Sequence, residues 1–155
     1  MRLTSDALKD GQIPVRYSKD GDNVSPPLAW SDLPANTVEL ALLFENITPQ
    51  TKEPFVQWLV YKIPADTSGL PEGYQHKRDP KEPLDVLQGR NSLDNVGYDG
   101  PLGTLNRSIR YRFRLFALDA PLDLSAGVDK EEFLQASAGR VLEQSDLIAT
   151  YERAP

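Results

Sequence analysis

The chain has 155 residues, of which 39% are hydrophobic and 26% are charged, a composition that predicts one globular domain over residues 1–155. Its 23 acidic and 17 basic side chains give a net charge of −6, which argues against nucleic acid as a partner because phosphate backbones would be repelled. The absence of cysteine excludes disulfides, thiolate nucleophiles and cysteine-based zinc sites. No apolar run approaches the ~18 residues of a membrane span, and the N-terminus lacks a signal peptide's apolar stretch, so we expect a cytoplasmic protein without membrane insertion.

The order of apolar residues predicts a mainly β fold, and the 13 prolines and 10 glycines fit many short elements. Residues 38–44 are almost continuously apolar and too short for a core helix, so they predict a central strand. Residues 55–63 are β-branched and aromatic on both faces, which is typical of a strand covered on both sides. Residues 110–115 alternate strictly between arginine and apolar side chains, which predicts a strand with one packed face.

One helix is predicted near the end of the chain. Asp129 can cap it, and Glu132 lies at the spacing that completes a capping box. The helix is expected to present an apolar stripe made of Leu134, Ala138, Val141 and Leu142. Residues 147–151 then predict a last strand at a sheet edge.

Motifs for catalysis or metal binding are weak in this sequence. Residues 20–23 begin like a calcium loop, but Ser25 and Ser31 stand where that loop needs glycine and glutamate, so a turn is the better interpretation. His76 is the only histidine, which disfavours Ser-His-Asp chemistry. We therefore expect no catalytic residues, no metal and no cofactor.

Five segments resemble, in the same order, the motifs of the phosphatidylethanolamine-binding proteins, also called Raf kinase inhibitor proteins. Residues 25–30 (SPPLAW) match the family's S-P-P-L-x-W, and the other four segments are residues 45–49 (ENITP), 55–58 (FVQW), 97–101 (GYDGP) and 109–113 (IRYRF). The similarity extends from about residue 3 to residue 151, with a length like that of bacterial members. Five motifs in the correct order are unlikely to arise by chance.

The resemblance implies a two-sheet antiparallel β-sandwich with a few peripheral helices and a small anion pocket at one end of the sheets. In the family this pocket holds phosphate, acetate or a phospholipid head group. Carried over residue by residue, the pocket would consist of Glu45, Pro49, Gln57, Ile109 and Tyr111. Gln57 and Ile109 stand where the family has histidines, so both imidazoles are absent.

These replacements predict a non-enzymatic ligand-binding protein in which phosphate binding is weakened. An imidazolium supplies a charge-assisted hydrogen bond of about twice the strength of a neutral one. Gln57 and Tyr111 still offer neutral donors, whereas Ile109 offers none and Glu45 would repel a phosphate dianion. The expected ligand is a small molecule of the anion or phospholipid head-group type, and a preference for a neutral or cationic molecule is left open.

Two other interpretations remain open at this point. The loss of both imidazoles is also consistent with a vestigial pocket in a protein-interaction module that regulates a kinase or a protease. A less favoured alternative is an enzyme in which Glu45, desolvated by apolar neighbours, acts as a general base. Members of the family often pair, so the resemblance also allows a homodimer.

Overall fold

The computed structural model describes residues 1–48, 53–74, 76–82, 85–103 and 105–153. In chain order the strands are β1 (Arg2–Thr4), β2 (Leu28–Ser31), β3 (Glu39–Asn46), β4 (Phe55–Pro64), β5 (Gly69–Leu70), β6 (Leu87–Gln88), β7 (Ile109–Leu118) and β8 (Val141–Tyr151). Short 3₁₀ helices span Asp6–Gly11 and Val15–Tyr17, and one α-helix, α1, spans Lys130–Ser137. No helix among these residues is long and apolar enough to cross a membrane.

The strands form two antiparallel sheets, as the resemblance implied. The small sheet has the order β1-β2-β5 and the large sheet the order β6-β4-β3-β7-β8. β3 is the centre of the large sheet, and every residue but its last is buried, which confirms the prediction of a central strand. β7 alternates as predicted and continues through residues 116–118.

Apolar side chains cover both faces of the large sheet. Between the sheets, Phe44 stacks on Phe113 with ring centroids 3.9 Å apart, and Trp58 meets Tyr98 edge-on at 5.5 Å. On the outer face, Phe133 of α1 contacts Phe116 at 5.4 Å. Strand β4 contributes to both clusters, which confirms the expectation that it is covered on two sides.

The capping box of α1 is confirmed, but the predicted apolar stripe is wrong. The Asp129 carboxylate accepts a hydrogen bond from the Glu132 amide at 2.9 Å, and the Glu132 side chain accepts one from the Asp129 amide. The helix ends at Ser137, and Val141 and Leu142 belong to β8. Strand β8 begins earlier than predicted because its first half is held by pairing with β7, a long-range interaction that its mostly exposed side chains do not signal.

A β-bulge lies where β3 ends and β4 begins. Phe44 pairs with Trp58 and Glu45 with Val56, so Gln57 has no residue opposite it on β3. Bulges of this kind bend a strand and re-aim a side chain, and they are common beside functional sites. Here the bulge lets the Gln57 side chain lie in the same hollow as Tyr111, near the start of β7.

Candidate ligand-binding site

A hollow of about 220 Å³ lies where β3 ends and where β4 and β7 begin. It is lined by Lys19, Asn46, Phe55, Gln57, Leu93, Gly100, Leu102 and Tyr111. A larger cleft of about 520 Å³ lies beside the first turn of α1, and charged side chains line much of it. Two of these, Arg90 and Lys130, are ion-paired. The smaller hollow is the better candidate for ligand binding because it brings together Gln57 and Tyr111, two residues of the predicted pocket.

Gln57 lines the hollow, but its amide nitrogen is already used. Its Nε2 donates to the carbonyl oxygens of Asp99 at 2.5 Å and Gly100 at 3.1 Å, and the residue is only 6% exposed. Its Oε1 accepts no hydrogen bond from any residue in the described ranges. The expectation that Gln57 offers a donor is therefore wrong, and the side chain presents an acceptor instead.

Tyr111 supplies the phenol expected from the sequence. Its hydroxyl makes no hydrogen bond within the described part of the chain, and its ring packs against Phe44 at 5.6 Å. Burial raises the pKa of Tyr111 to about 12, and the nearby Tyr151 and Asp20 add to the shift. The phenol is therefore neutral at physiological pH and can donate or accept a hydrogen bond.

Glu45 does not lie in the hollow, so its predicted position in the pocket is wrong. It is opposite Arg112 in the β3–β7 register, and opposite residues share one face of a sheet. Its fully buried carboxylate receives a hydrogen bond from Arg112 Nη2 at 3.1 Å and another from the Lys130 ammonium. This arrangement places Glu45 on the outer face, under α1, and away from Tyr111.

Asn46 takes the place in the hollow that was predicted for Glu45. It is opposite Tyr111 in the register and lines the hollow with it. Its Oδ1 accepts a hydrogen bond from the Thr48 amide at 2.9 Å, which leaves Nδ2 without a partner in the described ranges. The sequence alignment rested on the shared Pro49, and a slip of one residue exchanges the two faces of a strand.

Of the other two predicted pocket residues, the structure describes one, and that one does not line the hollow. Ile109 is 8% exposed and belongs to the apolar cluster between the sheets. Pro49 lies outside the described residues. Of the five side chains inferred from the resemblance, the structure brings Gln57 and Tyr111 together.

Lys19 is a lining residue that the sequence reasoning missed. It lies in the turn at residues 19–22, which confirms the turn interpretation of that segment. Its ammonium is 3.4 Å from the Asp99 carboxylate, which Asn91 and Asn95 also hold with hydrogen bonds of 2.6 and 3.1 Å. Burial raises the pKa of Asp99, but the two amides and Lys19 outweigh it and lower the pKa overall. The charge of Lys19 is therefore largely compensated.

The turn that carries Lys19 is anchored to the glycine-rich segment. Asn23 Oδ1 accepts a hydrogen bond from the Gly100 amide at 2.7 Å. A Cβ at Gly100 would lie 2.2 Å from the carbonyl oxygen of Tyr17, so only glycine fits there. No local pattern in the sequence signals this contact, because Asn23 and Gly100 are 77 residues apart.

The mouth of the hollow is apolar. Leu93 and Leu102 are 45% and 65% exposed, and Phe55 adds an aromatic edge. Within the described residues, no group of His, Cys, Asp and Glu side chains is arranged to hold a metal ion. The arrangement thus combines a polar floor with an apolar rim.

Comparisons with known proteins agree with the fold and the motifs. The family model for phosphatidylethanolamine-binding protein matches residues 4–152. A UPF0098 protein of Methanothermobacter thermautotrophicus is 39% identical over 154 residues, covering 99% of each chain. The UPF0098 protein YbhB of Escherichia coli is 37% identical over 125 residues, covering 77% of this chain and 78% of that protein.

Solved structures show the same sandwich. The crystal structure of a phosphatidylethanolamine-binding protein homolog from Chlamydia trachomatis aligns with a TM-score of 0.85 at 34% identity, covering 99% of this chain and 97% of that one. Escherichia coli YbcL aligns with a TM-score of 0.86 at 23% identity, covering 99% and 98%, which supports the fold alone. The chain therefore belongs to the phosphatidylethanolamine-binding protein family, of the type found in bacteria and archaea.

Proposed function

We propose that the chain binds a small ligand in the hollow between Asn46, Gln57 and Tyr111, without a catalytic step. The observation that carries this proposal is the convergence of three polar groups without partners among the described residues: Asn46 Nδ2, Gln57 Oε1 and the Tyr111 hydroxyl. None of these three atoms is among the buried side-chain atoms that lack a partner in the described residues, so they are open to the hollow that they line. A ligand that enters the hollow can supply a partner to all three.

The lining favours binding over reaction. Nucleophilic catalysis needs a nucleophile within hydrogen-bond reach of a base. Tyr111 is a neutral phenol whose pKa burial raises to about 12, and the Lys19 ammonium is paired with Asp99. Neither group is a ready nucleophile or base at neutral pH.

Inorganic phosphate is expected to bind weakly in this hollow. The reason differs from the one based on Glu45, which lies on the other face. A phosphate dianion would place its oxygens beside the Gln57 Oε1 acceptor. The protein donors available to it are neutral groups and a lysine whose charge is already compensated by Asp99. Phosphate affinity weaker than about 1 mM is the expected result.

A pair of tyrosine variants tests the site. Tyr111→Phe removes the hydroxyl in the hollow, and Tyr74→Phe is the matched control. Tyr74 also has a raised pKa of about 12 and a hydroxyl without a partner among the described residues, but it does not line the hollow. Small-molecule binding would be followed by amide chemical shifts in two-dimensional NMR and by calorimetry.

We expect ligands to shift the resonances of Asn46 and Gly100, and Tyr111→Phe to weaken binding where Tyr74→Phe does not. Equal affinities of the two variants, or shifts confined to the cleft beside α1, would contradict the proposal. Regulation of a kinase or protease, pairing of two copies and a cytoplasmic location stay predictions from the sequence.

A further inference from the structure

We propose that the hollow selects an uncharged head group that carries both a hydrogen-bond donor and an acceptor, as a primary carboxamide does, joined to a small apolar substituent. This inference rests on the proposed ligand-binding function and specifies the chemical class of ligand. Three features of the hollow support this ligand class: the orientation of the Gln57 amide, the pairing of Lys19 with Asp99 and the apolar rim.

The orientation of the Gln57 amide decides which hydrogen-bonding group the ligand needs. Two backbone carbonyls, of Asp99 and Gly100, hold Nε2 at 2.5 and 3.1 Å. Rotating the amide would turn Oε1 toward these two oxygens and lose both hydrogen bonds. Oε1 is therefore fixed as an acceptor in a side chain that is only 6% exposed, and only a donor on the ligand can satisfy it.

The other two open groups favour an acceptor on the same ligand. Asn46 Nδ2 can only donate, and the neutral Tyr111 hydroxyl can donate as well. A primary carboxamide offers N–H groups to Gln57 and its oxygen to Asn46 or Tyr111. A carboxylate offers acceptors alone and would leave an oxygen facing Gln57 Oε1. A phosphonate keeps one O–H donor only as the monoanion, and it carries a charge in either form.

The charges around the hollow disfavour an ionic ligand. The Asp99 carboxylate is held by Asn91 and Asn95, so it cannot easily swing away from Lys19. An anion in the hollow would have to compete with Asp99 for the ammonium, which lies 3.4 Å from it. A cation would meet that same ammonium. An uncharged head group avoids both costs.

The rim provides room and surface for an apolar substituent. Phe55, Leu93 and Leu102 surround the opening of a hollow of about 220 Å³. Cavities of about 150 Å³ can hold benzene, so the space suits one ring with a small head group. Benzamide is the probe that fits these conditions.

The test compares benzamide, benzoate, phenylphosphonate and benzylamine, which share the ring and differ in the head group. Binding to the full chain would be measured by calorimetry and NMR at neutral pH. We expect benzamide to bind about tenfold or more tightly than the three charged probes, a difference of about 1.4 kcal/mol. Tighter binding of benzoate or phenylphosphonate would overturn the head-group inference while leaving a ligand site in place. Failure of all four probes would overturn the proposed function with it.

Two variants separate the roles of the lining residues. Asn46→Asp keeps the oxygen that accepts from the Thr48 amide and replaces the donor with a carboxylate oxygen, so we expect benzamide binding to weaken about fivefold or more. Lys19→Met removes the ammonium, and we expect the preference for benzamide over benzoate to increase, because the Asp99 carboxylate would then lie near an anion without its compensating cation. An unchanged benzamide affinity in Asn46→Asp, or a preference for benzamide that falls in Lys19→Met, would overturn the inference. Circular dichroism would confirm that both variants are folded.

The rim is tested separately by a matched pair of exposed leucines. Leu102→Ser should weaken benzamide binding, whereas Leu105→Ser, at a residue that is 50% exposed and does not line the hollow, should not. Equal effects of the two substitutions would refute the placement of the ring on the rim.

Discussion

Replacing Glu45 with alanine should destabilise the fold strongly and leave ligand binding in the hollow intact. The Glu45 carboxylate is fully buried between Arg112, at 3.1 Å, and the Lys130 ammonium. It joins β3 and β7 to α1. Removing the Glu45 carboxylate leaves the cations of Arg112 on β7 and Lys130 on α1 without the anion that joins them.

The size of the effect follows from how far water reaches the two cations. Removing one partner of a buried ion pair costs about 3–5 kcal/mol. The Arg112 and Lys130 side chains are 22% and 24% exposed, so water compensates part of the loss and the lower end of this range applies. A loss of about 3 kcal/mol corresponds to a fall in Tm of roughly 6–12 °C for a chain of this size.

Urea and thermal unfolding of four proteins would measure this effect. Glu45→Gln retains an acceptor and should lose less stability than Glu45→Ala. Lys130→Met leaves the Glu45–Arg112 pair and should cost least of the three. Glu143→Ala is the control, because Glu143 forms an exposed ion pair with the N-terminal ammonium at 3.2 Å, and such pairs contribute about 0–1 kcal/mol.

Benzamide binding by the folded Glu45→Ala protein should equal that of the unchanged chain. A loss of stability below about 1 kcal/mol would refute the assignment of Glu45 to a buried ion cluster. A loss of ligand affinity without a loss of stability would instead return Glu45 to the binding site.

Three further predictions concern stability. Tyr74→Phe should stabilise the protein by about 1 kcal/mol in urea unfolding, because the Tyr74 hydroxyl is buried and has no partner in the part of the chain that the structure describes. Destabilisation would contradict this. Burial raises the pKa values of Tyr74 and Tyr111 from 10 to about 12, so the folded state keeps these two protons at a higher pH than the unfolded state does. The resulting contribution to stability is complete below pH 10 and is lost as the pH rises through 12. Urea unfolding midpoints measured against pH would show this loss. Asp129→Ala should lower the free energy of unfolding by about 0.5–2 kcal/mol through loss of the cap, whereas an unchanged Tm would argue against the capping box.

Much of the architecture could be predicted from the sequence because it depends on local patterns. The apolar run at residues 38–44 belongs to the central strand, and the alternation at residues 110–115 belongs to β7. The Asp129 and Glu132 spacing marks the start of α1. Period, cap and turn chemistry act over a few residues, so they are readable along the chain. Local patterns do not predict where β8 begins, because its first half is a strand as a result of its pairing with β7.

The site depended on details that only the tertiary structure decides. The motifs determined that Gln57 and Tyr111 approach the same place, since each lies near the start of a strand and both strands run antiparallel to β3. The bulge at Gln57 and the register of β3 decided that Asn46 faces the hollow while Glu45 lies buried on the other side. The contact of residues 19–23 with the glycine-rich segment places Lys19 in the lining of the hollow. Side-chain direction along a strand reverses with each residue, so identity can be read from the sequence, but the face that each residue occupies is set by the pairing of distant strands.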